Sequence, residues 1–152
     1  QKRFKLHIHK VTVSLVVLGG ISLLSACSGA PVATEDGRIY HCVGMTQPIP
    51  PSNTSAKKLP VEKFEYGNYQ RKDTPTIGGS YYCNVLNLPS TAHLRYRVDG
   101  KVIEKHFDLS SLTPQRVYKN TVEFYVDGET VEVRLLTPVP GDFSRKEIIT
   151  RQ

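Results

Sequence analysis

The stretch that decides the fold is residues 93–107, "HLRYRVDGKVIEKHF". Its two halves alternate apolar and polar residues on either side of Asp99-Gly100, and this is the strongest short-range signal for a β-hairpin with a two-residue turn. Leu94 and Tyr96 fall on one face of the first half, while the two arginines fall on the other. The stretch therefore predicts two antiparallel strands with one buried and one solvated face.

The same pattern returns in residues 121–136, "TVEFYVDGETVEVRLL", around Asp127-Gly128. It predicts a second hairpin whose apolar face is rich in valine. The charged positions Glu132 and Arg134 lie on the opposite face, and we interpret them as ordinary solvated strand residues. The flanks of the two hairpins do not match, so the pattern does not indicate a solenoid repeat.

The rest of the chain predicts further short strands separated by long, proline-rich or polar loops. The expected strands are residues 38–45, 59–66 and 80–88, the expected loops are 46–58 and 67–79, and 141–152 is a weak strand or a frayed end. Residues 108–120 predict one helical turn, capped by Asp108 or Ser110 and ended by Pro114. We expect a single β-rich domain, residues 38–152, that is mainly β: an antiparallel sandwich or curled sheet of about seven short strands with long loops and one short helix.

The N-terminus predicts a secretory signal. Residues 2–10 contain four lysines and arginines. Residues 11–24 form an apolar run that is too short to span a bilayer, and small residues follow it. The segment ending at Cys27, "LSAC", resembles the bacterial lipobox. That resemblance implies a signal peptide over residues 1–26, a Cys27 that carries acyl chains such as palmitate, and a lipidated tether over residues 27–37. An ordinary signal peptide, cleaved near Ala26 or Ala30, is the alternative.

The lipobox also suggests where the domain lies. Several acyl chains hold a protein on a membrane far more firmly than one. In lipoproteins of this kind an aspartate after the cysteine retains the protein at the inner membrane, whereas this chain has Ser28. We therefore expect an outer-membrane anchor with the domain facing the periplasm.

The three cysteines predict one disulfide. With Cys27 assigned to lipid, Cys42 and Cys83 remain in an oxidising compartment, where a disulfide is the usual state. A catalytic thiol is the alternative, although neither cysteine lies in a recognisable nucleophile motif.

Composition and motifs argue against several classes of function. Four of the 20 lysines and arginines precede Cys27, so the formal charge falls from +6 to +2 in the remaining chain, and no basic stripe predicts nucleic-acid binding. No G-x-S-x-G motif is present, and Gly78-Gly79 precedes a strand rather than a helix, so we expect neither catalysis nor phosphate binding. His93 and His106 lie at opposite ends of the first hairpin, where its register could bring them together. Two histidines without a third ligand make a weak metal site, and we expect no metal and no cofactor.

Binding to another protein is the function that remains. Residues 66–73, "YGNYQRKD", have the composition of an antibody-like binding loop, with aromatic anchors, adaptable small residues and charges. Two more tyrosines begin the next strand at the same end. The alternative is that these tyrosines are partly buried sheet residues beside a solvated loop. The predicted partner-binding residues are Tyr66, Tyr69, Arg71, Lys72, Asp73, Tyr81 and Tyr82.

Three segments carry a resemblance to a known family. They are residues 78–89 "GGSYYCNVLNLP", 94–114 "LRYRVDGKVIEKHFDLSSLTP" and 122–136 "VEFYVDGETVEVRLL". Together with the lipobox they resemble small bacterial lipoproteins, some of which are encoded beside type VI secretion phospholipase effectors and act as their immunity proteins. The resemblance implies a non-enzymatic, membrane-anchored protein that binds and neutralises a secreted phospholipase. A structural lipoprotein subunit of an envelope or secretion assembly is the alternative.

Overall fold

The computed structural model describes residue 34 and residues 36–51, 57–69, 76–78, 81–141 and 144–152. The predicted signal peptide and Cys27 lie outside these residues. Within them the chain forms nine strands and one short helix: β1 (Ile39–Thr46), β2 (Leu59–Tyr66), β3 (Thr76–Ile77), β4 (Tyr82–Leu86), β5 (Thr91–Val98), β6 (Lys101–Asp108), α1 (Pro114–Val117), β7 (Thr121–Asp127), β8 (Thr130–Thr137) and β9 (Arg145–Arg151).

The strands form two sheets. One has five strands in the order β4-β1-β7-β8-β9, and the other has four in the order β3-β2-β5-β6. All paired strands run antiparallel except β1 and β7, which are parallel. The predicted mainly β, antiparallel-rich fold with one short helix is therefore confirmed. The described strands exceed the expected seven because β3 forms inside the expected loop 67–79 and the C-terminal segment pairs firmly as β9.

The first hairpin, β5-β6, has the predicted turn. Val98 pairs with Lys101, and the two turn residues, Asp99 and Gly100, have φ angles of 48° and 79°. A type I′ turn needs positive φ at both positions, and an Asp-Gly pair adopts them at low cost.

The second hairpin, β7-β8, turns one residue later than predicted. Asp127 pairs with Thr130, so the turn residues are Gly128 and Glu129 rather than Asp127-Gly128. The apolar residues explain the shift. This register pairs all three buried apolar residues of β7 with those of β8, whereas a turn at Asp127-Gly128 would set Val126 opposite Glu129.

The two sheets face each other across an aromatic core. The ring centroid of Phe124, from the five-stranded sheet, lies 5.1 Å from Phe64, 5.4 Å from Phe107 and 6.2 Å from Tyr66, all from the four-stranded sheet. The rings meet at steep angles, in the edge-to-face arrangement that aromatic pairs prefer. This arrangement is a sandwich, which was one of the two architectures expected.

The helical turn begins where we expected it to end. Thr113 is the N-cap residue, Pro114 lies in the first turn, and the Thr113 hydroxyl accepts from the Arg116 backbone N–H. Proline suits this position because its missing N–H has no partner at the start of a helix. The Asp108 carboxylate instead accepts from the Ser110 N–H at 2.9 Å in a local turn. The prediction that Pro114 ends the helix was wrong.

The predicted disulfide between Cys42 and Cys83 is confirmed. The two residues are directly opposite each other on β1 and β4. Cys83 is exposed and Cys42 is half-buried, so the bridge lies on the outer face of the five-stranded sheet. Among the described strands β4 pairs only with β1, and the bridge gives this edge strand a covalent attachment.

A buried histidine links the two sheets. The Nδ1 atom of His41 lies 2.9 Å from the Ile39 carbonyl oxygen, and Nε2 lies 2.8 Å from the Tyr66 hydroxyl. A carbonyl only accepts, so Nδ1–H donates to it and Nε2 accepts from the tyrosine. Burial lowers the pKa of His41 below its ordinary 6.5. The folded protein therefore holds this histidine in its neutral form.

We expect the free energy of unfolding to decrease as the pH falls below about 6.5, because the unfolded chain takes up the His41 proton there and the folded chain resists it. Urea unfolding between about pH 7.5 and pH 5 measures this slope above the range in which most carboxylates titrate. In His41→Asn the slope should be smaller, whereas in His106→Ala, at an exposed position, it should persist. Equal slopes for wild type and His41→Asn would contradict this assignment.

Candidate functional site

One of the predicted partner-binding residues lies in the core. Tyr66 ends β2, and its side chain is fully buried against His41. Burial raises the pKa of its hydroxyl. A register shift between Val61 and Lys63 turns both Phe64 and Tyr66 toward the core. The same shift is the reason that the alternation of this strand is imperfect. Tyr66 is therefore a core residue and not a surface anchor, which corrects the prediction at this position.

Tyr69 and Tyr82 close one side of the sandwich. Their ring centroids are 5.3 Å apart at 84°, and Tyr69 also packs edge-on against Phe64 at 5.3 Å. Both tyrosines are half-buried. Arg71, Lys72 and Asp73 lie outside the described residues, so binding through residues 66–73 stays a prediction.

Tyr81 occupies a fixed position on the outer face of the five-stranded sheet. Its ring lies over Gly44, where an added Cβ would come within 2.1 Å of the Tyr81 ring. Its hydroxyl donates to the Glu123 carboxylate at 2.7 Å. Burial raises the pKa of this hydroxyl, and so does the hydrogen bond to Glu123. Tyr81 nevertheless remains 45% exposed, so it presents a rigid aromatic surface to solvent.

Glu123 is the centre of a polar cluster that sequence reasoning did not predict. It is only 6% exposed. One carboxylate oxygen accepts from Tyr81 and, at 2.8 Å, from the Thr46 hydroxyl. The other lies 3.7 Å from an Arg134 nitrogen. We call this group the outer-sheet cluster, and its members are Glu123, Tyr125, Glu132, Arg134 and Arg151.

Arg134 connects the members of the outer-sheet cluster. Two of its guanidinium nitrogens lie 2.7 Å and 2.5 Å from the same Glu132 oxygen. The guanidinium also lies 3.5 Å from the centre of the Tyr125 ring, in a cation–π contact. Arg151 pairs with the second Glu132 oxygen. Hydrogen bonding from Arg134, and then from Arg151, holds the pKa of Glu132 below its ordinary value.

A cleft of about 510 Å³ opens beside the outer-sheet cluster. Glu123, Tyr125 and Arg134 form part of its lining, together with Tyr81 and the segment after β1. That segment presents Ile49, whose side chain is 87% exposed. The arrangement offers an apolar side chain, aromatic faces and fixed charges to a bound group.

The second hairpin, β7-β8, carried a signal for the outer-sheet cluster in its sequence. In the observed register Glu123 is opposite Arg134 and Tyr125 is opposite Glu132. Oppositely charged residues that face each other on adjacent strands attract one another, which applies to Glu123 and Arg134. We interpreted Glu132 and Arg134 as solvated because the sequence did not reveal that Tyr81 and the segment after β1 partly cover this face.

The histidine pair lies on the other sheet. His93 and His106 are directly opposite each other on β5 and β6, and their rings stack with centroids 4.1 Å apart. His93 is buried and His106 is exposed. They face outward from the four-stranded sheet, on the side of the sandwich away from the outer-sheet cluster.

Two negative findings complete the description of the chain. Among the described residues, no helix has the length and apolar character needed to cross a membrane. Comparison of the chain with protein-family models, with curated proteins and with solved structures finds no match.

Proposed function

We propose that this chain is a lipid-anchored protein of the bacterial envelope that binds and neutralises a type VI secretion phospholipase by direct contact. The observation that carries the binding part is the surface around the 510 Å³ cleft. There an exposed isoleucine, a half-exposed tyrosine and a partly buried arginine lie side by side. Tyrosine and arginine are among the residues that dominate binding energy in protein interfaces.

The rigidity of this surface supports binding. Contact with Gly44 and the hydrogen bond to Glu123 already fix Tyr81 in the free protein. Ordering of side chains at an interface costs about 0.5–1.5 kcal/mol for each mobile one. Because Tyr81 and Arg134 already have partners, a complex formed here loses little side-chain freedom at these two positions.

The resemblance of three segments to lipoprotein immunity proteins supports the choice of target. A phospholipase must reach a membrane to act, so an inhibitor anchored on a membrane meets it where damage begins. Confinement to a surface also raises the effective concentration of the inhibitor without any additional contact. The alternative, an assembly subunit, requires a binding surface too but no inhibition.

The test is a titration of the cognate phospholipase with the purified protein, read by lipid hydrolysis and by calorimetry. Tyr81→Ala and Ile49→Ala should each weaken binding by more than about 1 kcal/mol, roughly fivefold in Kd. Tyr40→Ala and Ile148→Ala are matched controls, because these side chains are 44% and 47% exposed and do not line the cleft. They should leave the affinity unchanged.

Other outcomes would redirect the proposal. Binding lost in Arg71→Ala or Tyr69→Ala, but retained in Tyr81→Ala, would keep the inhibitory function and move the surface to residues 66–73. A protein that binds no phospholipase would end the immunity proposal. Recovery of an envelope assembly component with the protein from cells would then favour the alternative.

A further inference from the structure

The outer face of the four-stranded sheet brings two histidines and two carboxylates together. Glu65 on β2 is directly opposite His93 on β5, and His93 is directly opposite His106 on β6. Glu104 lies two residues before His106 on the same strand, so it shares that face. Three adjacent strands therefore contribute to one group.

His93 lies between the two carboxylates. Its Nε2 atom is 2.7 Å from a Glu104 oxygen and its Nδ1 atom is 3.2 Å from a Glu65 oxygen. Only 10% of the His93 side chain is exposed. One ligand atom from each of His93, Glu104 and His106 can be chosen so that all three lie within 4.8 Å of one another.

We propose that His93, Glu104 and His106 bind a divalent transition-metal ion, with zinc as the best match. Two imidazoles and one carboxylate are the donor set of zinc sites that keep a fourth position open. Nitrogen donors select against magnesium and calcium, which prefer oxygen ligands. The ion would lie between His93 Nε2 and the Glu104 carboxylate, which now contact each other at 2.7 Å, and any proton held between them would go to solvent.

Glu65 would support the site without touching the ion. A histidine that binds a metal through one ring nitrogen usually donates its other N–H to a carboxylate, which fixes the tautomer and orients the ring. The contact between His93 Nδ1 and Glu65 has this arrangement. Glu65 and Glu104 together also balance the two positive charges of the ion.

Nearby positive charge does not block the site. Arg95 is directly opposite Glu104 in the sheet, but its side chain donates to Glu62 at 2.9 Å. Lys63 pairs with the Glu65 oxygen that His93 does not contact, at 3.0 Å. Neither Arg95 nor Lys63 therefore occupies the Glu104 carboxylate, which remains accessible to His93 and to an incoming ion.

The Glu104 oxygen, now 2.7 Å from His93 Nε2, must move away slightly and the His106 ring must turn for the metal to bind. Ligand atoms around a tetrahedral zinc ion lie about 3.3 Å apart, given bonds of about 2.0–2.1 Å. The rings of His93 and His106 are nearly parallel, at 7°, so their nitrogens do not yet point at one position. His106 is exposed, and rotation of its ring meets little resistance. A cleft of about 370 Å³ beside both histidines leaves room for a fourth ligand.

This inference does not depend on the proposed function. The proposed zinc site (His93, Glu104 and His106) and the outer-sheet cluster lie on opposite outer faces of the sandwich, and they share no residue. Zinc binding could fail while phospholipase binding succeeds, and the reverse holds too.

Calorimetry of the purified, metal-free protein with zinc chloride tests the proposal. Wild type should bind zinc, and His106→Ala and Glu104→Gln should each bind it at least about tenfold more weakly than wild type. Glu129→Gln is the control, an exposed carboxylate that pairs with Lys101 away from the site, and it should bind like wild type. Zinc held elsewhere, for example by His7 and His9, would not respond to these substitutions.

Nuclear magnetic resonance of the histidine rings gives an independent measurement. Zinc should shift the imidazole signals of His93 and His106 and leave those of buried His41 unchanged. Equal zinc binding by wild type, His106→Ala and Glu104→Gln would overturn the proposal. So would wild-type histidine signals that do not move at saturating zinc, and His93 would then be explained as a hydrogen-bonded link between two carboxylates.

Discussion

Removal of the Cys42–Cys83 disulfide is expected to lower the free energy of unfolding by about 2–5 kcal/mol. The bridge spans 41 positions of the sequence, and closing a loop of that length in the unfolded chain corresponds to about 4 kcal/mol in the chain-entropy model. The loop contains β2 and β3, which belong to the opposite sheet. The bridge therefore restrains the part of the chain that passes from one sheet to the other and back.

Urea unfolding with and without reductant measures this contribution. The double variant Cys42→Ala/Cys83→Ala should unfold at lower urea than wild type and should not respond further to reductant. It serves as its own control for effects of the reductant elsewhere. Mass spectrometry of the non-reduced wild type should show two hydrogens fewer than the reduced form. An unfolding midpoint that reductant leaves unchanged in wild type would show that the bridge adds nothing to stability.

The parts of the fold that the sequence predicted are those determined locally. An Asp-Gly pair between alternating runs specifies a hairpin within about 15 residues, and both hairpins form where the pattern indicated. The disulfide was predictable because only two cysteines remain after Cys27. The Asp127-Gly128 turn was displaced because pairing all the buried apolar residues of the two strands outweighs the preference of one turn pair.

The errors in the fold arose from long-range pairing and local irregularity. The register shift in β2 buries Tyr66 and makes the alternation of the strand irregular. The sequence pattern therefore did not show on which face Tyr66 lies. Strand β3 has only two residues, too few to form a pattern. Strand β9 forms by pairing with the edge of β8. The sequence of the C-terminal segment alone does not show that this edge is available.

The two candidate sites differ in what the sequence revealed. For the proposed zinc site, the first hairpin predicted that the two histidines could lie close together. Glu104 was not counted as a third ligand, although it lies two residues from His106. For the outer-sheet cluster, the charged residues were visible, but Tyr81 reaches across Gly44 to Glu123 and Arg151 from β9 reaches Glu132. Burial of polar side chains on an outer sheet face cannot be inferred from alternation alone.

Arg134→Met is expected to lower the free energy of unfolding by about 2–3 kcal/mol. Removing one member of a buried ion pair leaves its partner uncompensated, which costs about 3–5 kcal/mol in a fully buried site. Here Glu123 is 6% and Glu132 is 9% exposed, and the cluster borders an open cleft. We therefore reduce the expected cost for partial contact with water. Methionine retains most of the aliphatic stem, so lost packing contributes little.

Arg95→Met is the matched control for this substitution. Arg95 also lies on an outer sheet face and pairs with a glutamate, but 43% of its side chain is exposed. Its loss should change stability much less, because exposed pairs contribute little. Both variants are compared with wild type by urea unfolding at neutral pH.

A double substitution separates the charge effect from the rest. Glu132 keeps Arg151 when Arg134 is lost, whereas Glu123 pairs with no other cation among the described residues. In Arg134→Met/Glu123→Gln that second position is neutral, and the glutamine oxygen can still accept from Tyr81 and Thr46. The double variant should therefore be less destabilised than the sum of the two single variants, since neighbouring groups in one network are not additive. If Arg134→Met costs no more than Arg95→Met, the outer-sheet cluster is solvated like any strand face. The rigidity that supports partner binding at Tyr81 would then lose its basis.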